Sequence, residues 1–420
     1  MIELFKRRKI KKKLNYLKYY NKLDQSKKAN KIYEDLKKLV FNAFEKNQFY
    51  NYFYKQKNLD VYKLEKDIKY FLDFPEIGKK EIIEFSHKIV DLSAGQTYFS
   101  NKTGGSTGPS VRVFYDSFAN DHSSAVTIFC RSNYIKFGQS QLHFASNIHG
   151  TEKLGMQDRF KSIIFLRFHV TFDYFEEKTI YKILKKIHNI KPHLVHCHPS
   201  VMYQLANYIE ENNLNKKFNI MFKYFESSGE TINSYMKKKI QRVFNCKIIN
   251  RYGLAEFGIV AYQLDTSKEE LDVISANFLV NRGLKLNNSK TSNEIIITGL
   301  KNYFMPLIKY KTRDFAEINY QDDSYSNVKF NNITGRVHDY ITVSGKKIFT
   351  HTVQDFIDHK IGNIRIFQID TRHEKLTINF VPENIEFIEE TEKRFRKYLP
   401  DFTNEEKIIF FIHFRFIPCF

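Results

Sequence analysis

The residues best suited to chemistry form a turn of glycines and hydroxyls at 103–110, with the sequence T-G-G-S-T-G-P-S. Such a turn presents backbone N–H groups and hydroxyls to phosphate oxygens, because glycine has no Cβ in the way. The turn is not a Walker P-loop, since Pro109 and Ser110 stand where that motif requires Lys and Ser or Thr. A plain surface turn is the alternative interpretation.

A second candidate, R-Y-G-L-A-E at 251–256, directly follows a predicted strand at 246–250. Gly253 would allow a tight turn, leaving Tyr252 to lie against a planar ring and Glu256 to reach a cation. The alternative is the end of a strand, a turn and an ordinary surface glutamate.

Three further stretches carry polar groups next to predicted strands. S-S-G-E at 227–230 lies at a strand-to-helix turn, where helix capping is the default role. In Y-K-T-R-D at 310–314, an aspartate at a strand end can accept hydrogen bonds from both hydroxyls of a ribose. G-R-V-H-D-Y-I at 335–341 precedes G-K-K-I at 345–348. Each stretch alone is compatible with a structural role.

The first of the elements that must position these residues is a basic helical region at 1–75. We expect the helical structure to be interrupted near 73–75. Residues 1–70 hold 20 Lys and Arg against 8 Asp and Glu, in a chain of net charge +20. The lysines alternate with apolar residues at helical spacing, which indicates the solvated faces of amphipathic helices. Peripheral contact of this region with an anionic membrane is the alternative use of its charge.

From about residue 80 onward, strands alternate with helices, which predicts parallel α/β layers. Helices are predicted at 179–190, 201–211 and 231–244, the second capped by Ser200. The strands are predicted at 162–170, 194–198, 219–226 and 246–250. Residues from about 260 to 335 favour a β-rich subdomain with strands at 294–298, 307–310 and 315–320, and residues 336–420 form a small α+β domain.

Composition excludes several classes of protein. The chain is 42% hydrophobic and 27% charged, unlike a mainly disordered protein, and lacks the run of about 18 apolar residues of a membrane helix. The four cysteines are scattered. In the cluster at 193–198, strand alternation separates Cys197 from His196 and His198, which makes a poor metal cage. We expect a cytoplasmic protein with no specific nucleic-acid partner.

Taken in order, these stretches resemble the adenylate-forming superfamily of acyl-CoA synthetases and adenylation domains. The compact R-Y-G-L-A-E form and H-P-S-V-M-Y-Q-L-A at 198–206 are most similar to the phenylacetate–CoA ligase branch and its relatives in capsular polysaccharide biosynthesis. The resemblance covers roughly residues 95–350. It implies a large N-terminal domain at 1–335, which binds nucleotide and acyl group, and a small C-terminal lid at 336–420.

The resemblance also implies an activity. Family members activate a small carboxylic acid with ATP and Mg²⁺, releasing pyrophosphate, and pass the acyl group of the acyl-adenylate to CoA or another acceptor. For this chain the acceptor would be CoA or a glycan or carrier group, with surface polysaccharide biosynthesis as the setting. Attack of a carboxylate on the α-phosphorus needs positioning and charge compensation rather than an enzyme nucleophile.

The resemblance assigns roles to individual residues. The phosphates would contact Thr103, Gly104, Gly105, Ser106, Thr107 and Gly108. Adenine and ribose would be bound by Gly229, Glu230, Tyr252, Gly253, Asp314 and Arg336, with Tyr252 stacked on the base. Glu256 would hold Mg²⁺, and Thr107, Glu256 and Arg336 would act in catalysis. Asp339 would be the hinge of the lid, and His143, His149 and His169 lie where the family shapes its acyl pocket.

Two features depart from the family pattern. Many members carry a lysine where Pro109 and Ser110 stand, and the family places a catalytic lysine in a Gly-Lys segment near its C terminus. The sequence contains no Gly-Lys after Gly345 and Lys346, so the lid is expected to be truncated and adenylation to be slow. The alternative function is therefore a catalytically impaired nucleotide-binding or scaffold relative.

Overall fold

The computed structural model describes residues 2–90, 97–102, 111–136, 138–146, 166–172, 177–214, 218, 220–286, 291–321, 325–336, 340–343, 346–349, 360–370, 376–382, 385–403 and 408–412. The chain divides into two compact units. The first comprises Met1–Ile232 and Met236–Ile333, and the second comprises Asn233–Tyr235 and Thr334–Phe420.

The N-terminal region is helical, as its periodicity predicts. It contains α1 (Ile2–Asn21), α2 (Gln25–Lys46) and α3 (Gln48–Gln56), followed by two 3-10 helices, Val61–Glu65 and Ile68–Asp73. The side chain of Asp24 caps α2 by accepting a hydrogen bond from the Lys27 amide at 2.8 Å, and Asn47 caps α3 in the same way. One face of α2 is buried. It consists of leucine, isoleucine, valine and alanine residues at helical spacing.

The elements between Lys79 and Arg336 alternate helix and strand and then become strand only. The helices are α4 (Lys79–Glu84), α5 (Ser86–Ile89), α6 (Ser117–Arg131), α7 (Glu177–Ile190), α8 (Pro199–Glu211) and α9 (Ser234–Phe244). The strands are β1 (Tyr98–Lys102), β2 (Arg112–Asp116), β3 (Gln141–Ser146), β4 (Arg167–Phe172), β5 (Leu194–Cys197), β6 (Tyr224–Ser228), β7 (Lys247–Leu254), β8 (Gly258–Tyr262), β9 (Leu271–Val273), β10 (Phe278–Lys285), β11 (Ser292–Gly299), β12 (Tyr310–Tyr320) and β13 (Val328–Arg336).

Strands β3 to β13 form one mixed sheet of eleven strands within the described residues, in the order β10-β11-β12-β13-β9-β8-β7-β6-β5-β3-β4. From β4 to β7 neighbouring strands are parallel. All four residues of β5 are buried, as expected for a central parallel strand covered on both faces. The alternation of strands and helices at 194–254 therefore produces the α/β layers that the sequence predicts.

The β-rich region joins the same sheet by antiparallel pairing, from β7–β8 to β10–β11 and β11–β12. Between Gly258 and Arg336 the described residues contain strands and connections without a helix. The predicted strand at 307–310 is wrong in detail, because only Tyr310 belongs to a strand. It begins the long strand β12, which also absorbs the strand predicted at 315–320.

The second unit is a small α+β structure, the class predicted for residues 336–420. It contains the hairpin β14 (Tyr340–Val343) and β15 (Lys346–Phe349), a 3-10 helix at Ile385–Phe387, and a sheet of β16 (Ile364–Asp370), β17 (Leu376–Pro382) and β18 (Ile408–Ile412). Helix α10 (Ile388–Thr403) connects the parallel strands β17 and β18. Ile378, Phe380 and Phe395 are fully buried between this sheet and helix.

Candidate functional site

Two of the predicted motifs meet through a buried hydrogen bond. The Tyr252 hydroxyl, on β7, donates to Oδ2 of Asp314, on β12, at 2.8 Å. Both side chains are buried, with exposed fractions of 8% and 7%. Burial, and then the neighbouring Asp314 carboxylate, raise the pKa of the Tyr252 hydroxyl, so Tyr252 is a proton donor throughout the physiological range. Asp314 is therefore held in place by a residue of the other motif.

The same two motifs are joined a second time in the opposite direction. The Tyr310 hydroxyl, at the start of β12, donates to Oε1 of Glu256 at 2.8 Å. Glu256 lies in the turn after β7 and is 5% exposed. Each motif thus contributes one tyrosine and one carboxylate, and the two tyrosine–carboxylate hydrogen bonds connect strands that are separated by β13, β9 and β8 in the sheet order.

The backbone of β12 is irregular directly before Asp314. Arg313 has φ of 64°, the left-handed conformation that non-glycine residues rarely adopt, and the β11–β12 register shifts between Glu294 and Ile296. The Arg313 amide donates to the Glu294 carboxylate at 3.2 Å, and the Asp314 amide donates to the Thr312 hydroxyl at 3.1 Å. These hydrogen bonds provide partners for the two backbone amides at the bulge, where the hydrogen bonding between strands is interrupted.

The tight turn predicted at Gly253 is wrong, because β7 continues to Leu254. Gly253 is needed for close approach instead. A Cβ there would lie 2.8 Å from the Gly258 carbonyl oxygen across the β7–β8 pair. The turn itself spans Ala255–Phe257 and closes with a hydrogen bond from the Phe257 amide to the Leu254 carbonyl at 3.1 Å. Both glycines therefore shape the turn that presents Glu256.

The S-G-E stretch lies at the carboxyl end of β6 and contacts the start of α8. Gly229 has φ of 88°, and a Cβ on it would lie 2.3 Å from Cε1 of His198, so this position requires glycine. One Glu230 oxygen lies 3.8 Å from Nδ1 of His198, and the other accepts from the Ser200 amide at 3.2 Å. The prediction that Ser200 caps α8 is wrong. His198 is the N-cap residue, and Glu230 satisfies the Ser200 amide at this helix start.

A buried ionic cluster, which the sequence did not predict, lies beneath these turns. Arg131 of α6 donates to both carboxylate oxygens of Glu226 on β6, and Tyr262 donates to the same carboxylate at 2.8 Å. Arg251 Nη1 lies 3.8 Å from Glu226 and 3.2 Å from Nε2 of His196. Burial alone would raise the pKa of Glu226, but Arg131 and its other cationic neighbours hold it well below its usual range.

The cluster has a net positive charge, because two arginines face one glutamate and its histidines add no charge. Nδ1 of His143 contacts Nδ1 of His196 at 2.5 Å. Burial, followed by the neighbouring His169, lowers the pKa of His143 to about 4. Burial also lowers the pKa of His196 well below its ordinary value, although the Glu226 carboxylate acts in the opposite direction. Glu226 directly precedes the S-S-G-E motif and Arg251 begins the R-Y-G-L-A-E motif, whereas Arg131 belongs to no motif and is identified only by its long-range contact.

The other histidines separate into different environments. His169, on β4, packs edge-on against His143 at 5.6 Å between ring centroids. His193 contacts the ring of Tyr224, and the side chain of His198 is 57% exposed at the start of α8. In the part of the chain that the structure describes, no three His, Cys, Asp or Glu side chains are grouped as ligands for a metal ion.

Several predicted site residues fall outside what the structure describes. These are Thr103, Gly104, Gly105, Ser106, Thr107, Gly108, His149 and Asp339. Arg336 is the last residue of β13, and only its backbone is described. The structure thus brings together Tyr252, Asp314 and Glu256 and places Gly229 and Glu230 at a neighbouring strand end.

The donor set at Glu256 is compatible with the predicted Mg²⁺. A carboxylate offers the oxygen ligands that Mg²⁺ prefers, and this ion usually keeps several waters and takes one or two protein carboxylates together with substrate phosphates. The hydrogen bond from Tyr310 to Oε1 fixes the position of the Glu256 carboxylate. A single buried carboxylate at this turn therefore fits the ion.

Comparison with known proteins gives related sequences and folds. No protein-family model matches the chain. Protein CapK of Staphylococcus aureus is 24% identical over 376 residues, which are 84% of this chain and 79% of that protein. The crystal structure of 2-hydroxyisobutyryl-CoA ligase in the postadenylation state, in complex with 2-HIB-AMP, matches this chain with a TM-score of 0.70 at 15% sequence identity. The match covers 92% of this chain and 86% of that ligase chain. The ATP-bound RpMatB-BxBclM chimera B3 has a TM-score of 0.52 at 14% identity, over 74% of this chain and 63% of its own.

These likenesses establish the fold. The chain has the α/β fold of these structural neighbours, so the fold class predicted from the sequence is confirmed. Among the described helices, none combines the length and apolar character needed to cross a bilayer.

Proposed function

We propose that this chain, which has the adenylate-forming enzyme fold, activates a carboxylic acid with ATP and transfers the acyl group to CoA or another acceptor. The observation that carries the proposal is the pair of tyrosine–carboxylate hydrogen bonds, Tyr252 to Asp314 and Tyr310 to Glu256. They bring to one place the two motifs that the family resemblance assigns to a single nucleotide.

In this proposal the chain binds ATP mainly through fixed side chains. Asp314 accepts hydrogen bonds from the ribose hydroxyls, because an ionised carboxylate has acceptor capacity beyond the bond from Tyr252. Tyr252 positions Asp314 with its hydroxyl and offers its ring to adenine. Gly229 and Glu230 border the base at the carboxyl end of β6, where ligands bind in open α/β sheets. The family resemblance assigns the phosphates to residues 103–108, which lie outside the described residues.

The first half-reaction exchanges one bond for another at phosphorus. A carboxylate oxygen of the acid bonds to the α-phosphorus, the bond to the bridging oxygen of the β-phosphate breaks, and pyrophosphate leaves with the electron pair. Glu256 would hold Mg²⁺, which would supply charge compensation for the phosphates. The buried site around Glu256 strengthens that electrostatic contribution, because little water competes there.

In the second half-reaction, a thiol of CoA or another nucleophile attacks the acyl carbon. The new bond forms as the bond between that carbon and the AMP oxygen breaks, and the thiol proton is released. The neighbour solved as 2-hydroxyisobutyryl-CoA ligase in complex with 2-HIB-AMP and CoA supports a CoA acceptor. The likeness to Protein CapK supports the proposed setting in surface polysaccharide biosynthesis, where the acceptor would be a glycan or carrier group.

The test is the stoichiometry of nucleotide products with a panel of aliphatic, aromatic and hydroxylated acids. We expect AMP and pyrophosphate in equal amounts, dependent on acid and on Mg²⁺. Asp314→Asn and Glu256→Gln should each abolish most of the turnover, whereas Asp265→Asn, which changes a solvent-exposed carboxylate, should not. ADP as the product contradicts adenylation. Tight ATP binding without AMP formation for any acid would instead favour the nucleotide-binding scaffold.

A further inference from the structure

Arg251 is a largely buried arginine whose charge is not balanced by the residues that the structure describes. Its side chain is 18% exposed, and the one described carboxylate within ion-pair distance is Glu226, 3.8 Å from Nη1. That carboxylate already has partners. It accepts from Arg131 Nε at 3.2 Å on both oxygens and from the Tyr262 hydroxyl at 2.8 Å. Glu226 therefore neutralises Arg131, and the positive charge of Arg251 remains.

The hydrogen bonds of Arg251 also show that the neighbouring histidines are neutral. An arginine can only donate, so Nε2 of His196, 3.2 Å from Nη1 of Arg251, is an unprotonated acceptor. The proton of His196 is then on Nδ1, which donates to Nδ1 of His143 at 2.5 Å. It follows that the proton of His143 is on Nε2. Each ring carries one proton and no charge, so neither histidine changes the charge of the cluster.

Arg251 also has a donor without a partner. Its Nε is buried and makes no hydrogen bond within the described part of the chain. A Cβ on Gly253 would lie 3.6 Å from this nitrogen, so Nε is next to the end of β7. A water molecule could accept a hydrogen bond from Nε, but it would supply no negative charge. Because a buried charge without a counter-charge is costly, the charge and the unpartnered donor together indicate an anionic ligand.

The position of Arg251 relates this donor to the proposed substrates. Its partner across the β6–β7 pair is Ser228 of the S-S-G-E motif, and the next residue along β7 is Tyr252. Strand register and alternation place Arg251 on the same face of the sheet as His143 and His169, which are half-buried and exposed. Arg251 therefore lies between the strand ends assigned to the nucleotide and the strands where the family resemblance places the acyl pocket.

We propose that Arg251 binds an anionic group of the acid, and that the substrate is a carboxylic acid with a second negatively charged group, a carboxylate or a phosphate. One carboxylate reacts at the α-phosphorus, and the second group pairs with the guanidinium, whose planar donors match two oxygens of a carboxylate or phosphate. An apolar acid such as phenylacetate leaves the charge of Arg251 unpaired. The inference rests on the proposed function, because it assumes that the acid is adenylated at this edge of the sheet.

The test compares acids that differ by one anionic group: butanoate with butanedioate, pentanoate with pentanedioate, phenylacetate with 4-carboxyphenylacetate, and glycerate with 3-phosphoglycerate. Turnover is measured as acid-dependent pyrophosphate release by the full chain with ATP and Mg²⁺, and binding as the rise in Tm with each acid. In at least one pair we expect kcat/KM to be about tenfold or more higher for the acid with the second anionic group, because a site with a buried polar group rejects the analogue that leaves it unpaired.

Arg251→Met removes the charge, keeps the length of the side chain and should abolish this preference. Since the variant loses a buried cation without a counter-charge, its Tm without ligand should equal or exceed that of the original chain. Arg251→Lys keeps the charge but not the planar donors, and should retain part of the preference. Arg282→Met is the matched control. Arg282 also lies on a strand but donates to the Ile318 carbonyl and packs on the Tyr320 ring, so its variant should keep the full preference.

The outcomes separate the inference from the proposed function. Equal kcat/KM and equal stabilisation within every pair overturn the inference and leave adenylation standing. A loss of turnover by the same factor for all acids in Arg251→Met also overturns it, because Arg251 would then serve the nucleotide or the reacting carboxylate. A fall in Tm larger than that of Arg282→Met overturns it as well, since a carboxylate of the chain would then balance Arg251. Stabilisation by the doubly charged acids alone, lost in Arg251→Met and without turnover of any acid, supports the anion site and contradicts the proposed function.

Discussion

Removing the Tyr252 hydroxyl tests the link between the two motifs. Tyr252→Phe keeps the ring, which packs edge-on against Phe330 at 5.7 Å, and deletes only the donor to Asp314. The lost bond is 2.8 Å long, buried and made to a carboxylate, the kind of hydrogen bond that contributes about 1.5–3 kcal/mol. The free energy of unfolding should therefore fall by about 2 kcal/mol.

The same change should weaken ATP binding, because Asp314 loses the group that orients it towards the ribose. If about 1.5 kcal/mol or more of nucleotide affinity depends on that orientation, the Kd for ATP rises about tenfold or more. Isothermal titration with ATP and Mg²⁺ measures the Kd, and urea unfolding measures stability.

Tyr320→Phe is the matched control. Tyr320 lies on the same strand as Tyr310 and donates to the Val280 backbone carbonyl at 3.2 Å, outside the candidate site. This variant should lose stability without weakening ATP binding. An unchanged Kd in Tyr252→Phe, despite the expected loss of stability, would refute the claim that Tyr252 orients a ribose-binding carboxylate.

Three further predictions concern stability, each measured by urea unfolding. Gly229→Ala should cost about 1–2 kcal/mol for its left-handed backbone, and adding His198→Ala should relieve the steric contact but not this backbone cost. Glu226→Gln should cost about 3–5 kcal/mol, since Arg131 then lies buried without its carboxylate; a loss below 1 kcal/mol would contradict the charge assignment. The pKa of His122 is lowered to about 3 from an unfolded value near 6.5, so the unfolded state binds more protons between these values and stability falls as the pH falls. Between pH 6.5 and pH 5 this contributes about 2 kcal/mol, and His122→Leu should show a correspondingly smaller loss of stability over this interval.

The fold is predictable from the sequence wherever the apolar period is regular. Helix 177–190 and strand 194–197 lie close to their predicted positions because burial and period agree there. The strand predicted at 219–226 begins instead at Tyr224, since Ile220 and Phe222 before it are buried without strand pairing. The spacing of apolar residues indicates which residues are buried. Burial alone does not distinguish a strand from an ordered connection.

The site is predictable as a set of residues but not as an arrangement. Tyr252, Glu256 and Asp314 belong to motifs visible in the sequence, yet nothing in those motifs indicates that tyrosine and carboxylate pair reciprocally. That pairing links β7 and β12, which are not neighbours in the sheet, and it accompanies the bulge at Arg313, so it is a tertiary feature. Arg131 could not be predicted for the same reason, because its partner Glu226 lies 95 residues away.

The most direct measurement is a crystal structure of the full chain with a non-hydrolysable ATP analogue and Mg²⁺. We predict that both ribose hydroxyls lie within hydrogen-bond distance of the Asp314 carboxylate and that Glu256 coordinates the ion directly or through water. A nucleotide bound elsewhere, with Asp314 and Glu256 contacting neither ribose nor metal, would contradict the proposal that these two motifs form one ATP site.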